Sequence, residues 1–558
     1  MRHPSALLLL PVFAGLALIA SARASGPALE APVVVDAGPI SSPTDVASEG
    51  YRRVTFSPNG DGHDDAVTIR VRAAPGHALS LSVRPASRSP VYVHLPTAGA
   101  GITVVHWSGM QTPGRRFPDG SYVLHVCDTV THRCSAGGVI AHLRLISMYV
   151  RRATGVSSGE TLKVHISADG PGPYTLDLVS AADPAGAGIG KTEIPRAGVV
   201  AYRVPRVPAG GLWLLRVRGD SAITSFPLVV HQPGFGLDDP LPHTALVIYP
   251  YLTWRAYDMF DENRDGIVDS WYAHPRNPVV PLYGPFEPWT LEPALQGREA
   301  NPTSQDAFAQ WMEGHDLTAQ HVTDVELGSL PQAVLDRYAE IVFEGHTEYY
   351  ELRTYDKVLA YRNAGGRLYF LQGNPFYGRA QIVGDHVWRR SYRYRTASRS
   401  DFALAGVGFR ECCWPRTVRP VYHLAPDAVE RLPWAFAGTG LTDGDPFGIA
   451  NGEVDTIDPR LSPPGTFAVA SATVPPFKPT SEKETEGWLG SKPIPYAPAY
   501  LKPQQIDIAY ARAGKGEVFS WGNTGFMKSV RFRDQGVPDD ERAELDRVAL
   551  NVWKHFTR

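Results

Sequence analysis

From residue 50 to about 230 the chain alternates apolar and polar positions in short runs: VTIRVRA, ALSLSVR, VYVHL, ITVVHW, SYVLHVC, TLKVHI, YTLDLV, VAYRV, LWLLRVRG and SFPLVVH. Turn residues separate the runs. A period of two puts every second side chain on one face, so each run predicts a strand with one buried side. The regular spacing of turn signals predicts two β-sandwiches, over 51–146 and 147–231. The boundary falls where one strand set ends at HLRLI and another begins after RRATGVSSGE.

A linker follows over 232–242, and beyond it the pattern changes. Ala245 to Tyr249 is a continuous apolar run, the signature of a strand buried on both faces. Ser304 to Gly314 predicts a helix with Phe308, Trp311 and Met312 on one side, and Ala319 to Thr323 a strand. Ala339 to Phe343 and Arg367 to Leu371 are further strands. They flank a helix over Tyr349 to Ala364 that Gly365-Gly366 stops. Glu517 to Trp521 adds a strand. Residues 541–556 close the chain as an amphipathic helix, with Leu545, Val548, Ala549, Val552 and Trp553 at core spacing. The expected fold is therefore multidomain: two all-β sandwiches, then an α/β domain over 243–558 with a mostly parallel sheet.

Arg2 and His3 followed by an apolar run from Ala6 to Ala20 and by Ala22-Arg23-Ala24 have the layout of a cleaved signal peptide over 1–24. The run is short for a membrane span, so the expectation is an exported protein, secreted or periplasmic, without stable membrane insertion. Residues 25–50, rich in Pro, Ala, Ser and Gly, read as a linker. The length of 558 residues accommodates this domain count, and a net charge of −3 argues against nucleic acid as a partner. Four cysteines rule out a disulfide scaffold or a thiolate zinc cluster. Export permits a bridge between Cys127 and Cys134, which flank DTVTHR. Cys412-Cys413 reads either as a vicinal disulfide or as two buried thiols.

In open α/β sheets ligands sit beyond the carboxyl ends of the strands. The segments there are Pro250 to Tyr257, Glu344 to Tyr350, Gln372 to Tyr377 and Gly522-Asn523-Thr524. A Tyr, a His, a Glu and an Asn around one crevice suit metal-assisted or general acid–base chemistry. The chain has no G-x-S-x-G elbow and no H-E-x-x-H, and no phosphate-binding glycine pattern follows the first strand.

Two family resemblances rest on these residues. Phe56-Ser-Pro-Asn-Gly-Asp-Gly62 with Asp64 and Asp65, then Trp107-Ser-Gly109 and Phe117-Pro-Asp-Gly-Ser-Tyr122, resembles the immunoglobulin-like domain of exported bacterial proteins such as the flagellar hook-capping protein. Thr253-Trp-Arg-Ala-Tyr257, Gly345-His-Thr-Glu-Tyr-Tyr350, Gln372-Gly-Asn-Pro-Phe-Tyr-Gly-Arg379 and Gly448-Ile-Ala-Asn-Gly-Glu-Val-Asp455 occur in order. They resemble the C-terminal domain of the large (β) subunit of N,N-dimethylformamidase, whose fold is similar to class I glutamine amidotransferases. That resemblance implies hydrolysis of an amide-type C–N bond in a small-molecule amide. It also implies one Fe(III) held by two tyrosines and a glutamate. By motif, Tyr257 and Glu348 are ligands, and His346, Asn374 and Glu453 take catalytic positions: proton shuttle, orienting amide and base. At the second tyrosine the chain reads Tyr283-Gly-Pro-Phe286. A direct match puts Phe286 there, which cannot bind metal; Tyr283 is the substitute from three residues earlier.

Asp261-Glu-Asn263-Arg-Asp265-Gly266-Ile-Val-Asp269 spaces oxygen side chains as a Ca²⁺ loop does, with Tyr272 where a bidentate acid would stand. It reads as a calcium site or as a plain acidic turn. Two rival functions stay open: a non-catalytic surface or glycan-binding protein with a degenerate enzyme domain, and a calcium-dependent adhesion protein.

Overall fold

A computed structural model describes the chain from Val34 onward except for 40–51, 57, 59–65, 73–74, 86–89, 96, 98–101, 114, 118–119, 136–138, 144–145, 169–171, 220–222, 235, 259–268, 272–277, 287–303, 393–398, 412–413, 415–417, 477–501 and 533–535. The signal peptide, Cys412-Cys413 and three of the four calcium-loop oxygens (Asp261, Asn263, Asp265) lie outside the described residues. Asp269 is described and buried.

The first part carries a sheet of Val34–Pro39, Val67–Arg72 and Ile102–Trp107, facing a larger sheet ordered Arg52–Phe56, Val139–Leu143, Gly120–Asp128, Leu79–Pro85, Val91–His94. Their shared core explains the aromatic motifs. The Trp107 ring lies 5.3 Å from Phe56, 5.8 Å from Phe117 and 5.9 Å from Tyr122, centroid to centroid. Gly109 has φ +75°, and an added Cβ would press on Leu143 at 3.1 Å, so the turn after Trp107 takes glycine. Cys127 and Cys134 are joined in a disulfide across the short pairing of Arg133–Cys134 with Gly120–Asp128.

Next come a sheet of Ile146–Val150, Thr161–Ala168 and Gly198–Arg203 and one ordered Ile189–Ile194, Tyr174–Ser180, Gly211–Arg218, Ile223–Val230. Inside the latter, Arg216 grips Asp177 with two parallel bonds of 2.8 Å while both side chains are buried. The C-terminal part is built on nine strands in the order Ala319–Thr323, Ala245–Tyr249, Glu340–Phe343, Arg367–Phe370, Gly516–Ser520, Gln504–Ala513, Phe467–Val474, Val421–Leu424, Pro446–Ile449.

This sheet corrects the expected fold class. Its first five strands pair in parallel, but its last four pairings are antiparallel. Parallel neighbours need a crossover, usually a helix, whereas antiparallel ones need only a hairpin. Between Phe370 and Gln504 the described helices are only Asp401–Ala405 and Ala428–Arg431, so the chain there adds strands by folding back on itself. Nor does a separate α/β domain follow the second of the expected sandwiches. The core of 146–230 runs without a break into that of the mixed sheet. Phe226 packs on Phe286 at 5.4 Å, and Thr323 Oγ1 donates to the Ala153 carbonyl at 2.7 Å.

One local expectation also changes. Tyr349–Glu351 is a strand paired with Gly378–Val383, and the helix begins only at Leu352, ending at Gly365 with φ +124°. Consecutive tyrosines lose side-chain freedom in a helix and suit a pleated surface better.

Among the described residues no helix is long and apolar enough to cross a membrane. Removing Asp177 strands a guanidinium of which 1% is exposed. D177A should therefore lower stability by about 3–5 kcal/mol, read as a shift in the urea midpoint; a shift within error would show that the pair does not hold the sheet.

Candidate functional site

The site is assembled from loops at the carboxyl ends of the parallel strands. Ala245–Tyr249 leads through Pro250 into the helix Tyr251–Tyr257. The first turn of any helix has unsatisfied N–H groups; here the buried Asp324 accepts from Leu252 N at 3.2 Å. Each polar residue of Thr253-Trp-Arg-Ala-Tyr257 has its own task. Thr253 Oγ1 accepts from the backbone N–H of Glu348 at 3.0 Å and of Tyr349 at 3.1 Å, tying the helix to the next loop. Arg255, buried, pairs with Asp258 at 3.0 Å and donates to the carbonyls of Pro281, Gly284 and Pro285. The Tyr257 hydroxyl donates to Glu348 Oε2.

The strand Glu340–Phe343 runs into Glu344-Gly345-His346-Thr347-Glu348. Gly345 turns the chain at φ +76°. Gln372 Oε1 accepts from Thr347 N, and Phe376 N and Gly378 N donate to the carbonyls of Thr347 and Glu348 at 2.9 Å each. After Arg367–Phe370 the chain makes a tight loop in which Asn374 and Phe376 both have left-handed backbones, φ +52° and +54°. Asn tolerates that region better than most residues. A Cβ on Gly373 would sit 2.4 Å from the Glu453 carbonyl oxygen, so the loop is pressed directly against the segment that carries Glu453. That segment is held from the other side by Glu453 N donating to Thr524 Oγ1 at 2.8 Å and Thr524 N to the Glu453 carbonyl at 3.0 Å.

Four of the residues named by motif come together, and Asn374 joins them. His346 Nε2 lies 2.8 Å from Glu453 Oε2 and 3.8 Å from Glu348 Oε2. Asn374 Nδ2 donates to the same Glu453 Oε2 at 2.6 Å, and Asn374 N to Asp455 Oδ1 at 2.8 Å. The rings of Tyr257 and His346 are 5.6 Å apart. His346 and Glu453 keep 25% and 22% of their side chains exposed; Glu348 keeps 5%. His346 and Glu453 are thus where the cluster reaches solvent, while His346 Nε2 itself is covered. The same loops carry three buried polar atoms without hydrogen-bond partners: Asn374 Oδ1, Thr347 Oγ1 and Gln372 Nε2.

The electrostatics follow from crowding three acids around one imidazole. Burial acts to lower the His346 pKa, but Glu453 by charge and contact, then Glu348 and Asp455, raise it to about 9. Burial and the charge of Glu453 push Glu348 up to about 7 against the pull of His346. Burial acts upward on Glu453 as well, yet His346 and Asn374 hold it below the usual carboxylate range. Burial, then Glu348 and Glu453, raise the Tyr257 phenol well above its ordinary value.

Tyr283 does not join the cluster: its ring lies against the Arg151 guanidinium at 5.4 Å. Phe286 is core, packed on Tyr251, Trp254 and the Arg255 cation. The residue that sequence reasoning passed over is Tyr349. It hydrogen-bonds the Glu348 carboxylate as Tyr257 does, and the two phenol rings are 6.2 Å apart. Its place beside Glu348 within Gly345-His-Thr-Glu-Tyr349 was the available signal. Asp455, two residues beyond Glu453, was the other. Among the described residues no trio of His, Cys, Asp or Glu is spaced to hold a metal ion. A metal here would require phenol oxygens, and Tyr257, Tyr349 and Glu348 form an all-oxygen donor set that fits a hard trivalent ion such as iron(III).

The sequence model of one family, N,N-dimethylformamidase beta subunit-like, C-terminal, matches residues 197–539. No curated protein matches the chain. Among solved structures, a ThuA-like protein from Bacteroides uniformis aligns at 12% identity and a TM-score of 0.28, over 58% of this chain and 94% of that one. Murine CEACAM1b aligns at 13% identity and a TM-score of 0.12, over 33% and 100%. Scores this low carry no inference about fold or function.

Because folding raises the His346 pKa, its contribution to stability is complete below about pH 6.5 and is lost as pH rises through about 9. The metal-free chain should melt progressively earlier across that window. In E453Q the imidazole, followed by NMR, should titrate lower than in the wild type; an unchanged titration would refute the pairing.

Proposed function

The chain belongs, over residues 197–539, to the N,N-dimethylformamidase beta subunit-like C-terminal family, and from that premise we propose that it is a hydrolase cleaving an amide-type C–N bond of a small substrate. The observation that carries this reading is the single Glu453 oxygen shared by His346 and Asn374 where the cluster reaches solvent. An amide is hydrolysed by attack of water on the carbonyl and protonation of the leaving nitrogen, so the site must hold a base, a proton donor and a group that orients the carbonyl. Glu453, kept ionised and partly open to solvent, accepts the proton of the attacking water. His346, kept protonated by its acidic neighbours, delivers a proton to the departing amine. Asn374, locked through its backbone on Asp455, holds Glu453 in place and presents an amide oxygen without a partner to the substrate N–H.

Iron(III), when bound, would be held by Tyr257, Tyr349 and Glu348 and would polarise the amide carbonyl. The Cys127–Cys134 disulfide supports a place in an oxidising compartment, in line with export.

Amine release from a panel of formamides and small primary amides tests the activity. H346A and E453Q should each reduce kcat by about 10²–10⁴-fold with little change in KM; full turnover in either overturns the roles given. Addition of Fe(III) to the full chain should produce a visible tyrosinate-to-iron absorption band, lost in Y257F and Y349F and kept in Y283F. A band lost in Y283F instead would reassign the third ligand, and no band in the wild type would exclude iron.

A further inference from the structure

A second constellation lies where the two parts of the chain meet. Ser157 stands in the turn after Val156, whose short parallel bridge to Val230 places it beside His231 at the end of the strand Ile223–Val230. Ser157 Oγ is 3.2 Å from His231 Nδ1. On the other side of the ring, His231 Nε2 is 3.0 Å and 3.2 Å from the two carboxylate oxygens of Glu326, on the short helix Asp324–Leu327. Gly155 N donates to Glu326 Oε2 at 2.9 Å and holds the carboxylate in position. The packing is tight enough to dictate a neighbour: a Cβ on Gly155 would lie 2.4 Å from His231 Nε2, so position 155 takes glycine.

The acid decides the tautomer. A carboxylate can only accept, so Nε2 carries the hydrogen and Nδ1 keeps its lone pair facing the Ser157 hydroxyl. That is the arrangement a serine nucleophile requires, with the two ring nitrogens exchanged relative to the usual order; either nitrogen serves as a base. Ser157 is exposed, while the side chains of His231 and Glu326 are mostly covered, at 15% and 13% exposure. Ser157 and His231 line a cavity of about 1010 Å³ with Arg203, Arg206, Gln232 and Gly159. Both arginines are exposed, and neither has an ion-pair partner among the described residues. Two uncompensated cations at the rim favour a substrate that carries negative charge.

We propose that Ser157, His231 and Glu326 form a second hydrolytic site, acting by acyl transfer on esters that bear an anionic group. Ser157 Oγ bonds to the ester carbonyl carbon while its proton passes to His231 Nδ1. The C–O bond to the alcohol then breaks, and the alcohol leaves with that proton. Water, deprotonated by His231, attacks the acyl-serine and releases the acid, returning the proton to Ser157. Glu326 holds the ring and stabilises its charged form throughout. This site shares no residue with the cluster of His346, so the two assignments stand or fall separately.

A fluorophosphonate probe, from which a reactive serine displaces fluoride, tests the proposal on the full chain. Mass spectrometry should find one adduct, on Ser157. H231Q should slow labelling by about 10²-fold or more, with an unchanged melting temperature. No adduct on Ser157, or labelling at the wild-type rate in H231Q, overturns it. Should H231Q not fold, the wild type before and after denaturation replaces it: an adduct formed equally in both states overturns the proposal as well. Between mono-4-nitrophenyl succinate and 4-nitrophenyl propionate, the anionic ester should be hydrolysed faster, and R203A/R206A should erase the difference. Equal rates in the wild type would overturn the anionic assignment.

Discussion

One carboxylate oxygen organises the candidate site. Glu453 Oε2 takes the His346 imidazole and the Asn374 amide at once, and those two residues follow different strands of the parallel half of the sheet. An ionised acid buried beside a protonated imidazole is tolerable only because each compensates the other. The supporting shell is built to keep them in register. Asp455 fixes Asn374 through its backbone, Thr524 fixes Glu453, and Thr253 fixes the Glu348 and Tyr349 backbones. None of these supports is itself placed to react; each limits how far a reacting group can drift.

The antiparallel half of the sheet brings Glu453 to this edge. Four successive antiparallel pairings leave its outermost strand, Pro446–Ile449, running in the same direction as the parallel strands. The segment 450–456 that follows it crosses the carboxyl edge, bridging Val454 to Asn523 and pairing Val454–Thr456 with Gly408–Glu411. The unbroken core between 146–230 and the C-terminal sheet has a parallel effect on the other side of the molecule. It holds Ser157 and His231 against Glu326, so the two parts meet as one packed body with a defined pocket at the join.

Much of the site was legible before any coordinates. Tyr257, His346, Glu348, Asn374 and Glu453 could be named because short ordered motifs pointed at strand ends, and the structure gathers all five. Tyr283 was misplaced because spacing along the chain says nothing of direction: Arg255 grips the loop 281–285 by its carbonyls, and Tyr283 is turned toward Arg151. Tyr349 was passed over because the apolar pattern read it into a helix, whereas as a strand residue it reaches Glu348.

By itself the sequence determined which segments are strands and which loops carry polar groups, since periodicity and turn chemistry are local properties of neighbouring residues. It also determined the disulfide partners, seven residues apart and on adjoining strands. Only the tertiary structure decided which way each sheet pairing runs, that the strands of 146–230 share a core with the C-terminal sheet, and that Ser157, His231 and Glu326 meet. Those outcomes depend on contacts between residues scores of positions apart. Their energy comes from burying surfaces against each other, and no stretch of chain read alone contains both sides of such a contact.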